Sequence, residues 1–375
     1  MKILQINKLY YPWIGGVEKI VQQISEGLNN KDNIEIKVLC CASPKKSRIL
    51  DFEKGTEEAI GGVKIVRASI IGMVTGLPIS FSFFKLFKKL SKDADIINLH
   101  HPFTLGDLAI FLFRPKAKII LHYHSDIVRQ KIAAFFLKPL IYNTLKKSSK
   151  IIISSPNLLK SSPILKKFEE KCEIIPFGVD YKKFQKLNKE NVDLIKREYG
   201  DFILFIGRLT YYKGLSYLIR AMKDVKNNLL IIGDGKKKKD FELMTKNLGL
   251  NNRIHFLPSQ PEKNLIDFYN ASTALVLPSI FKSEAFGIVL IEAMACGKPI
   301  VSTELETGTS FVNQDKITGL VVPPKNIDAL SRAINIILED KKMAEIYGQN
   351  ARNRVLEHFT IEKMLESVKS IYFSP

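Results

Sequence analysis

The sequence is poor in cysteine and in acidic residues, and it has no long apolar run. Its four cysteines show no metal-ligand spacing, and an adjacent pair followed by distant singles indicates reduced intracellular thiols rather than disulfides. No uninterrupted apolar run reaches the roughly 18 residues that a membrane-spanning helix needs. The amino terminus lacks the long apolar segment of a signal peptide, so we expect a cytoplasmic protein.

Acidic residues are outnumbered, since 38 Asp and Glu stand against 57 Lys and Arg, which gives a formal net charge of +19. The excess is concentrated in residues 81–150, where 13 basic residues accompany 4 acidic ones, a net of +9. Such a region attracts phosphate groups of nucleic acid, of membrane lipid or of a phosphorylated substrate. No recognisable nucleic-acid-reading motif accompanies the charge, so we do not expect a nucleic-acid partner.

Short runs rich in Val and Ile alternate with amphipathic segments of helical period. The first set of predicted strands is 2–6, 34–40, 63–69, 95–100, 118–124 and 150–155. After a polar stretch at 175–193, the second set is 202–208, 228–235, 253–258, 274–279 and 299–303. Such alternation is typical of doubly wound parallel sheets. Since 375 residues exceed a single core, we predict an α/β protein of two domains.

The segment 283–299, SEAFGIVLIEAMACGKP, combines two carboxylates with an apolar helical pattern. We predict a helix that follows Glu284, holds Glu292 about two turns inside and stops at Gly297. Eight helical residues span roughly 12 Å, about the length of a sugar joined through a diphosphate to a ribose. Because a helix N-terminus attracts anions, the segment suggests a sugar-nucleotide site. The alternative is the acid–base pair of a glycosidase, whose carboxylates lie at most ~9.5 Å apart.

Other candidate residues follow predicted strands, at the edge where open α/β sheets bind ligands. Gly15 and Gly16 follow the first strand and would let a backbone approach a phosphate, or they form an ordinary turn. Arg208 and Lys213 follow the first strand of the second set and suit a diphosphate, or they are solvated surface charges. With two such domains, the expected site is the cleft between them.

His122, His124 and Asp126 alternate at the end of a predicted strand, which would place them on one face. One hypothesis is a metal site, with His100 and His101 at the end of the preceding predicted strand. The favoured alternative is a single histidine that contacts substrate while the others are packed.

The ordered motifs GGVEK, HYHSD, SSPNL, IPFGVD, GRLTYYKG, IGDG, LPS and SEAFGIVLIEAMACGKPIVST resemble retaining GT-B glycosyltransferases of family 4. The resemblance extends from Gly15 to about Pro324, and its E-x7-E core with AFG inside and GKP after it is highly specific. It implies two Rossmann-like domains that face each other across a cleft, with the last helix returning to the first. We therefore expect residues 1–182 and 358–375 to form an acceptor-binding domain, and 190–357 to form the nucleotide-sugar-binding domain.

The resemblance implies roles for the candidate residues of both domains. In the first domain, Gly15 and Gly16 would meet the phosphate or sugar of the donor, and His124 would contact the transferred hexose. In the second domain, Arg208 and Lys213 would hold the diphosphate and support its departure.

The E-x7-E segment would bind the rest of the nucleotide sugar. Glu284 and the backbone amides of Phe286, Gly287 and Ile288 would bind sugar hydroxyls and phosphate, and Glu292 would bind the ribose. The resemblance implies transfer with retention of configuration and without a metal or other cofactor. No protein base would be needed, because the leaving phosphate oxygen can accept the proton of the acceptor.

Residues 303–324 and 122–131 resemble bacterial mannosyl- or rhamnosyl-type transferases of polysaccharide and O-antigen assembly. We therefore expect GDP-mannose as the sugar donor, with a UDP-hexose as the alternative, and a lipid-linked saccharide as the acceptor. Glu306 stands where many relatives have glycine, which would alter the loop beside the sugar. A sugar phosphorylase is a further alternative, although no motif indicates its pyridoxal lysine.

The basic region also interleaves aromatic and aliphatic residues with lysines, in two stretches at 81–92 and 131–147. Cationic, aromatic-rich amphipathic helices bind anionic membranes. We therefore expect the first domain to lie on the inner face of the cell membrane, as a peripheral protein. The lysines concerned are Lys85, Lys88, Lys89, Lys146 and Lys147. The alternative is a core-facing side of each helix with solvated lysines.

Overall fold

The computed structural model describes residues 1–13, 15–42, 55–74, 77–126 and 131–374, with only the backbone described for 74, 77 and 131–136. None of the helices in these ranges is both long and apolar enough to cross a bilayer.

The chain divides into two compact units. The first unit comprises Met1–Ser154, Ser162–Ile175 and Met364–Pro375, and the second comprises Ser155–Ser161 and Pro176–Lys363. The C-terminal segment thus belongs to the first unit, although the chain enters it from the second.

This division differs from the sequence-based boundaries at 155–161, 176–182 and 358–363, which belong to the second unit. Hydrogen bonds explain the difference. The amide of Asn157 donates to the Thr307 carbonyl at 3.0 Å. Val179 pairs with the chain at 359–361, through N–H···O distances of 2.9 Å in both directions.

The first unit contains an eight-stranded sheet and a separate two-stranded hairpin. The sheet strands are β1 (Lys2–Ile6), β2 (Glu35–Cys41), β3 (Thr56–Ile60), β4 (Val63–Ala68), β7 (Ile96–His101), β8 (Lys118–Tyr123), β9 (Lys150–Ile153) and β10 (Cys172–Ile174). The hairpin strands are β5 (Gly72–Val74) and β6 (Leu77–Ile79). The sheet order is β10-β9-β8-β7-β1-β2-β4-β3, and its neighbours pair in parallel except β3 with β4.

Helices connect the strands of the first unit, as the alternating pattern predicts. They are α1 (Gly16–Leu28), α2 (Ser82–Leu90), α3 (Thr104–Phe113) and α4 (Lys131–Lys147), with a 3₁₀ segment at Leu165–Lys171. The strand predicted at 63–69 is β4, whereas β3 and the hairpin strands β5 and β6 were not predicted. Strand β3 is exposed on nearly every residue and has no apolar alternation.

The second unit contains a six-stranded parallel sheet in the order β13-β12-β11-β14-β15-β16. Its strands are β11 (Phe202–Ile206), β12 (Asn228–Ile232), β13 (Ile254–Leu257), β14 (Ala274–Leu277), β15 (Ile300–Thr303) and β16 (Gly319–Val322). Every residue of β11 is buried, as expected for a parallel sheet covered on both faces. The predicted α/β class with parallel sheets is therefore confirmed.

The remaining helices complete the second unit and return the chain to the first. They are α5 (Pro156–Ser161), α6 (Tyr181–Phe184), α7 (Lys189–Tyr199), α8 (Leu215–Ala221), α9 (Lys238–Asn247), α10 (Glu262–Ala271), α11 (Ile288–Ala295), α12 (Gly308–Val312), α13 (Ile327–Glu339), α14 (Lys341–His358) and α15 (Ile361–Phe373). A 3₁₀ turn lies at Tyr211–Lys213. The helical break predicted near His358 coincides with the end of α14.

Candidate active site

In the second unit, two predicted site residues form a buried ion pair. Lys213 Nζ lies 2.5 Å from Glu284 Oε2. The same carboxylate oxygen accepts a hydrogen bond from Ser279 Oγ at 2.9 Å. The backbone carbonyl of Glu284 accepts another from Thr307 Oγ1 at 2.8 Å. Glu284 is 8% exposed. Groups from two loops hold its carboxylate, and a third loop holds its backbone.

A glycine allows the loop of Lys213 to reach Glu284. Gly214 has a left-handed conformation, with φ of 68°, and a Cβ there would lie 1.8 Å from the carbonyl oxygen of Pro278. Only glycine permits this close approach between the loop after β11 and the end of β14. A backbone hydrogen bond of 2.8 Å from Ile280 to Tyr212 holds the two loops together.

The environment keeps Lys213 protonated. Burial is the largest single influence and lowers the pKa of this lysine. The charge and hydrogen bond of Glu284, together with Tyr212, raise the pKa by more in sum, so the net shift is upward. Arg208 is exposed and lies close enough for its charge to oppose this effect. The structure therefore brings together Arg208, Lys213 and Glu284, three of the residues for which the sequence predicts contact with diphosphate and sugar.

Helix α11 begins later than the sequence predicts, after Gly287. Gly287 occupies the N-cap position with a left-handed φ of 78°, and the helix runs from Ile288. The first-turn amide of Leu290 donates to the Gly287 carbonyl at 2.8 Å, and those of Ile288 and Val289 have no acceptor within the helix.

Glu292 is the fifth helical residue, so it lies little more than one turn inside rather than two. The predicted span of ~12 Å between Glu284 and Glu292 assumed eight helical residues. That assumption was wrong, because residues 284–287 are not helical.

Phe286 anchors the start of α11 and is itself buried. Its ring contacts Phe177 edge to face at 4.8 Å and Phe359 at 6.0 Å between centroids. The preceding carbonyl, of Ala285, accepts from the amide of Gly308 at 2.7 Å. These contacts leave the Phe286 side chain a structural part of the core, and any ligand would meet its backbone.

Glu292 is 5% exposed and is held by a tyrosine that sequence analysis missed. Tyr269 on α10 donates its hydroxyl to Glu292 Oε2 at 2.6 Å. Burial and the neighbouring carboxylate both raise the pKa of Tyr269, so its hydroxyl stays protonated and keeps donating. No sequence motif indicates this partner, since Tyr269 lies on a different helix 23 residues away.

In the first unit, the two predicted glycines stand at the start of α1. Gly16 is the first helical residue, and Gly15 is its N-cap. Gly15 is extended, with φ of −164°, a conformation open to any residue. Backbone conformation therefore does not require glycine at position 15, and its predicted contact with phosphate or sugar stays a prediction.

His124 belongs to a buried cluster of three histidines. It follows β8 and is 4% exposed. The rings of His100, His122 and His124 stack with centroids 5.0 to 5.2 Å apart. Burial lowers the pKa of all three, in the case of His122 to about 3, so the rings are neutral at physiological pH.

The hypothesis that Asp126 shares a metal site with these histidines is wrong. Its carboxylate accepts hydrogen bonds from the Tyr123 hydroxyl and from Ser162 Oγ, the latter at 2.8 Å. The strand ends at Tyr123, so its alternation does not continue to residue 126. Across the described ranges, no three His, Cys, Asp or Glu side chains are grouped so that they could hold a metal ion.

The aromatic residues of the basic region are mostly core residues. Phe83 and Phe87 on α2 are fully buried, and Phe84 and Phe87 pack near Phe113. Of the phenylalanines at 81–87, only Phe81 is largely exposed, at 71%. The side chains at 131–136 lie outside the described residues. An aromatic-rich membrane face on α2 was therefore a wrong prediction, because those rings fill the space between α2 and α3.

Most of the chain matches two protein-family descriptions. Residues 14–183 match the description "Glycosyltransferase Family 4", and residues 188–354 match "Glycosyl transferases group 1". The chain is 33% identical over 374 residues to "O-antigen chain mannosyltransferase C" of Escherichia coli, which covers 99% of this chain and 98% of the relative. The chain belongs to the group 1 and family 4 glycosyltransferases. The predicted family and enzyme class are confirmed.

Further similarities agree with this membership. The glycosyltransferase is 33% identical over 362 residues to "D-rhamnosyltransferase WbpZ" of Pseudomonas aeruginosa, covering 96% of this chain and 92% of the relative. Its fold is similar to that of sucrose-phosphate synthase (tll1590) from Thermosynechococcus elongatus, with a TM-score of 0.81, 22% identity and coverage of 99% and 98%. Anabaena Alr3699/HepE in complex with UDP has a TM-score of 0.79, 18% identity and coverage of 99% of both chains. The GT-B fold is therefore confirmed.

The backbone at Glu306 has a conformation that favours glycine. Glu306 has a left-handed φ of 54°, which glycine adopts without steric cost. Its carboxylate pairs with Lys282 at 2.6 Å on an exposed surface. The following residues, Thr307 and Gly308, contact the segment at 284–285, so the loop borders the site.

Proposed function

We propose that this glycosyltransferase moves mannose from GDP-mannose to a lipid-linked saccharide, with retention of configuration, during synthesis of an O-antigen or related cell-surface polysaccharide. Two relatives support the sugar class, since one is named a mannosyltransferase of the O-antigen chain and the other a D-rhamnosyltransferase. The predicted runner-up, a UDP-hexose, remains the alternative sugar donor.

The buried pair of Lys213 and Glu284 is the observation on which the proposal depends. Lys213, held at 9% exposure, and the neighbouring Arg208 are two cations that face one carboxylate, that of Glu284. A set of cations and helix amides suits a diphosphate, and it stabilises the charge that develops when the diphosphate departs. Glu284, fixed by Lys213 and Ser279, offers a carboxylate to sugar hydroxyls.

The proposed reaction needs no metal and no protein base. The bond between the anomeric carbon and the diphosphate oxygen breaks, and Lys213 and Arg208 stabilise the leaving group. The hydroxyl oxygen of the acceptor attacks the same face of the sugar, and its proton passes to the departing phosphate oxygen. Glu292, held by Tyr269, binds the ribose, and the backbone amides of Gly287 and Ile288 bind phosphate.

A sugar-donor panel tests the proposal. We expect GDP-mannose to raise the melting temperature and to release GDP in the presence of a diphospholipid-linked saccharide, with and without EDTA. UDP-glucose should do neither. Turnover of UDP-glucose alone would establish the alternative, and loss of activity in EDTA would contradict metal independence. Phosphate-dependent release of a sugar phosphate, without a nucleotide, would indicate a phosphorylase.

We also propose that the first unit contacts an anionic membrane surface, since the acceptor is lipid-linked. Support comes from charge alone: Lys85, Lys88 and Lys89 on α2 are exposed beside the exposed ring of Phe81. Each lysine near such a surface contributes about 1 kcal/mol of attraction. The peripheral, cytoplasmic location is part of the same proposal.

Vesicle sedimentation tests this surface. Replacing Lys85, Lys88 and Lys89 with serine should release the protein from vesicles that contain phosphatidylglycerol, as should high salt. The matched control removes three exposed lysines of the second unit, Lys316, Lys341 and Lys342, and should leave binding unchanged. Equal binding of both variants would overturn the proposal.

A further inference from the structure

Three stretches of the second unit adjoin the places where the chain passes to or from the first unit. They are Ser155–Ser161, which has the first unit on both sides in sequence, the residues that follow Pro176, and the residues that precede Lys363. Each stretch contacts the turn of Glu284 and Phe286 or the loop that holds this turn. All of these contacts lie within the second unit.

Two of the stretches contribute aromatic rings that pack on Phe286. The ring of Phe177 lies edge to face with Phe286, with centroids 4.8 Å apart and planes at 60°. The ring of Phe359 contacts Phe286 at 6.0 Å and 85°. All three rings are 5% exposed or less. Because Phe286 directly precedes Gly287, these rings fix where the left-handed turn lies and where α11 begins.

The two aromatic stretches are also joined to each other. The amide of Val179 donates to the Phe359 carbonyl at 2.9 Å, and Val179 forms a parallel bridge with Thr360. A Cβ on Gly178 would lie 2.4 Å from the carbonyl oxygen of Thr360, so a side chain there would force the stretches apart. The guanidinium of Arg354 on α14 lies 5.3 Å from the Phe359 centroid. Phe359 is therefore held both by the neighbouring stretch and by α14.

The remaining stretch reaches the same turn through hydrogen bonds. Asn157 Nδ2 donates to the Thr307 carbonyl at 3.0 Å, and because a carbonyl only accepts, this partner fixes the orientation of the Asn157 amide. Thr307 Oγ1 donates to the Glu284 carbonyl at 2.8 Å. The next amide, of Gly308, donates to the Ala285 carbonyl at 2.7 Å. Asn157 thus holds the loop that in turn holds the backbone at 284–285.

We propose that Asn157, Phe177 and Phe359 are positioning residues for the turn at 284–287, and that binding of a nucleoside diphosphate at this turn is coupled to the three stretches. The proposal rests on the proposed function, in which the amides of Gly287 and Ile288 bind phosphate. The positioning residues act through Phe286 and through the loop at 307–308. Because coupling is reciprocal, a ligand that binds the turn also stabilises the stretches that hold it.

A purely structural role of these residues gives a different expectation. Rings and hydrogen bonds that only stabilise the second unit would lower its melting temperature when they are removed, while the folded protein would keep its affinity for ligand. Positioning residues change the affinity of the folded protein, and they do so for the phosphate groups that the turn binds. The affinity for a nucleoside without phosphate stays the same.

Isothermal titration of the full-length enzyme, well below its melting temperature, tests the positioning. Phe359→Leu removes a ring, and Asn157→Ala removes a hydrogen bond with little loss of buried apolar surface. We expect both variants to bind GDP roughly tenfold more weakly than the wild type and to bind guanosine equally well. UDP and uridine form the second pair of probes, for the alternative sugar donor. The matched control is Phe202→Leu, a fully buried ring at the amino end of β11, which should keep the affinity for GDP.

Hydrogen exchange provides a second readout, which needs no ligand. The amides of Leu290 and Gly308 donate to carbonyls of the turn, those of Gly287 and Ala285. They should exchange roughly tenfold faster in Phe359→Leu and in Asn157→Ala, and at the wild-type rate in Phe202→Leu. In the wild type, bound GDP should slow exchange at 176–180 and at 358–361, as reciprocal coupling requires.

Wild-type exchange at both amides in both variants would overturn the positioning, as would equal losses of affinity for GDP and for guanosine. Unchanged exchange of the stretches in the presence of bound GDP would overturn the coupling. If the two amides exchange faster in both variants but the wild type binds neither GDP nor UDP, the proposed function fails while the positioning stands.

Discussion

The two units bury their site residues in opposite electrostatic states. In the first unit, His100, His122 and His124 are packed as neutral rings, because burial lowers their pKa. In the second unit, Lys213 keeps its charge, because Glu284 and Tyr212 together raise its pKa by more than burial lowers it. Burial alone therefore does not decide the charge of a site, since the nearest partner does. The proposed function uses this difference, since it assigns the neutral sugar to the first unit and the anionic diphosphate to the second.

The largest expected effect comes from removing the buried positive charge of Lys213 in the second unit. Lys213→Ala should lower kcat by about 1,000-fold, because the leaving diphosphate loses its buried cation. Lys213→Arg should retain part of the activity. As a control, Lys238→Ala removes a more exposed lysine that pairs with Asp234 at 3.7 Å, and it should leave kcat near wild type. Equal kcat for the Lys213→Ala enzyme and the wild type would remove Lys213 from the mechanism.

The pH dependence of stability tests whether the buried histidines of the first unit are neutral. His122 has a pKa of about 3 in the folded protein and about 6.5 when unfolded. Between these values only the unfolded chain binds the proton, so stability is full above pH 6.5 and declines as the pH falls towards 3, by about 1.4 kcal/mol per pH unit. His122→Phe should reduce this slope by one proton in urea unfolding at pH 7, 6 and 5. If His122→Phe keeps the wild-type pH dependence, then the imidazole of His122 does not titrate differently on unfolding.

A smaller effect is expected from removing the Tyr269 hydroxyl, a neutral group that holds the carboxylate of Glu292. Tyr269→Phe removes the hydroxyl that donates to Glu292, and the loss of this hydrogen bond should weaken binding of the nucleotide by about 1 kcal/mol, or roughly fivefold. Isothermal titration with GDP measures the change, and kcat should stay the same. An unchanged affinity would show that Glu292 does not bind the nucleotide through the orientation that Tyr269 imposes.

The smallest effect concerns the loop that borders the charged pair. Glu306→Gly and Glu306→Ala both remove the ion pair with Lys282, but only glycine adopts the left-handed backbone without steric cost. The glycine variant should therefore melt about 2 °C above the alanine variant. Equal melting temperatures in differential scanning fluorimetry would mean that the loop relaxes to another conformation.

The sequence predicts the sheets well, because alternating apolar runs and helical segments indicate strands regardless of tertiary contacts. Strands β1, β2 and β11 lie where their Val- and Ile-rich runs predict them. The edge strand β3 has no such run, so it is visible only through its pairing with β4. The start of α11 was displaced because sequence periodicity does not reveal the left-handed turn at Gly287.

The contacts between site residues are less predictable than the residues themselves. Lys213 and Glu284 are 71 positions apart, and their pairing depends on the close approach of Gly214 to Pro278. Similarly, His124 bonds to His100 on β7, which bonds in turn to Gln5 on β1, a set that no local pattern indicates. Asp126 and the phenylalanines of α2 show a different error. Their local patterns predicted a metal site and a membrane face, but Asp126 makes local hydrogen bonds and the phenylalanines are mostly packed in the core.

Product analysis is the most direct measurement of the proposed transfer. GDP-mannose and a diphospholipid-linked saccharide are incubated with the wild type and with Lys213→Ala, GDP is quantified, and the anomeric configuration of the product is determined by NMR. We expect the wild type to release GDP in step with a mannoside that keeps the configuration of the sugar donor, and Lys213→Ala to form about 1,000-fold less. An inverted product, or equal yields from both enzymes, would contradict this mechanism.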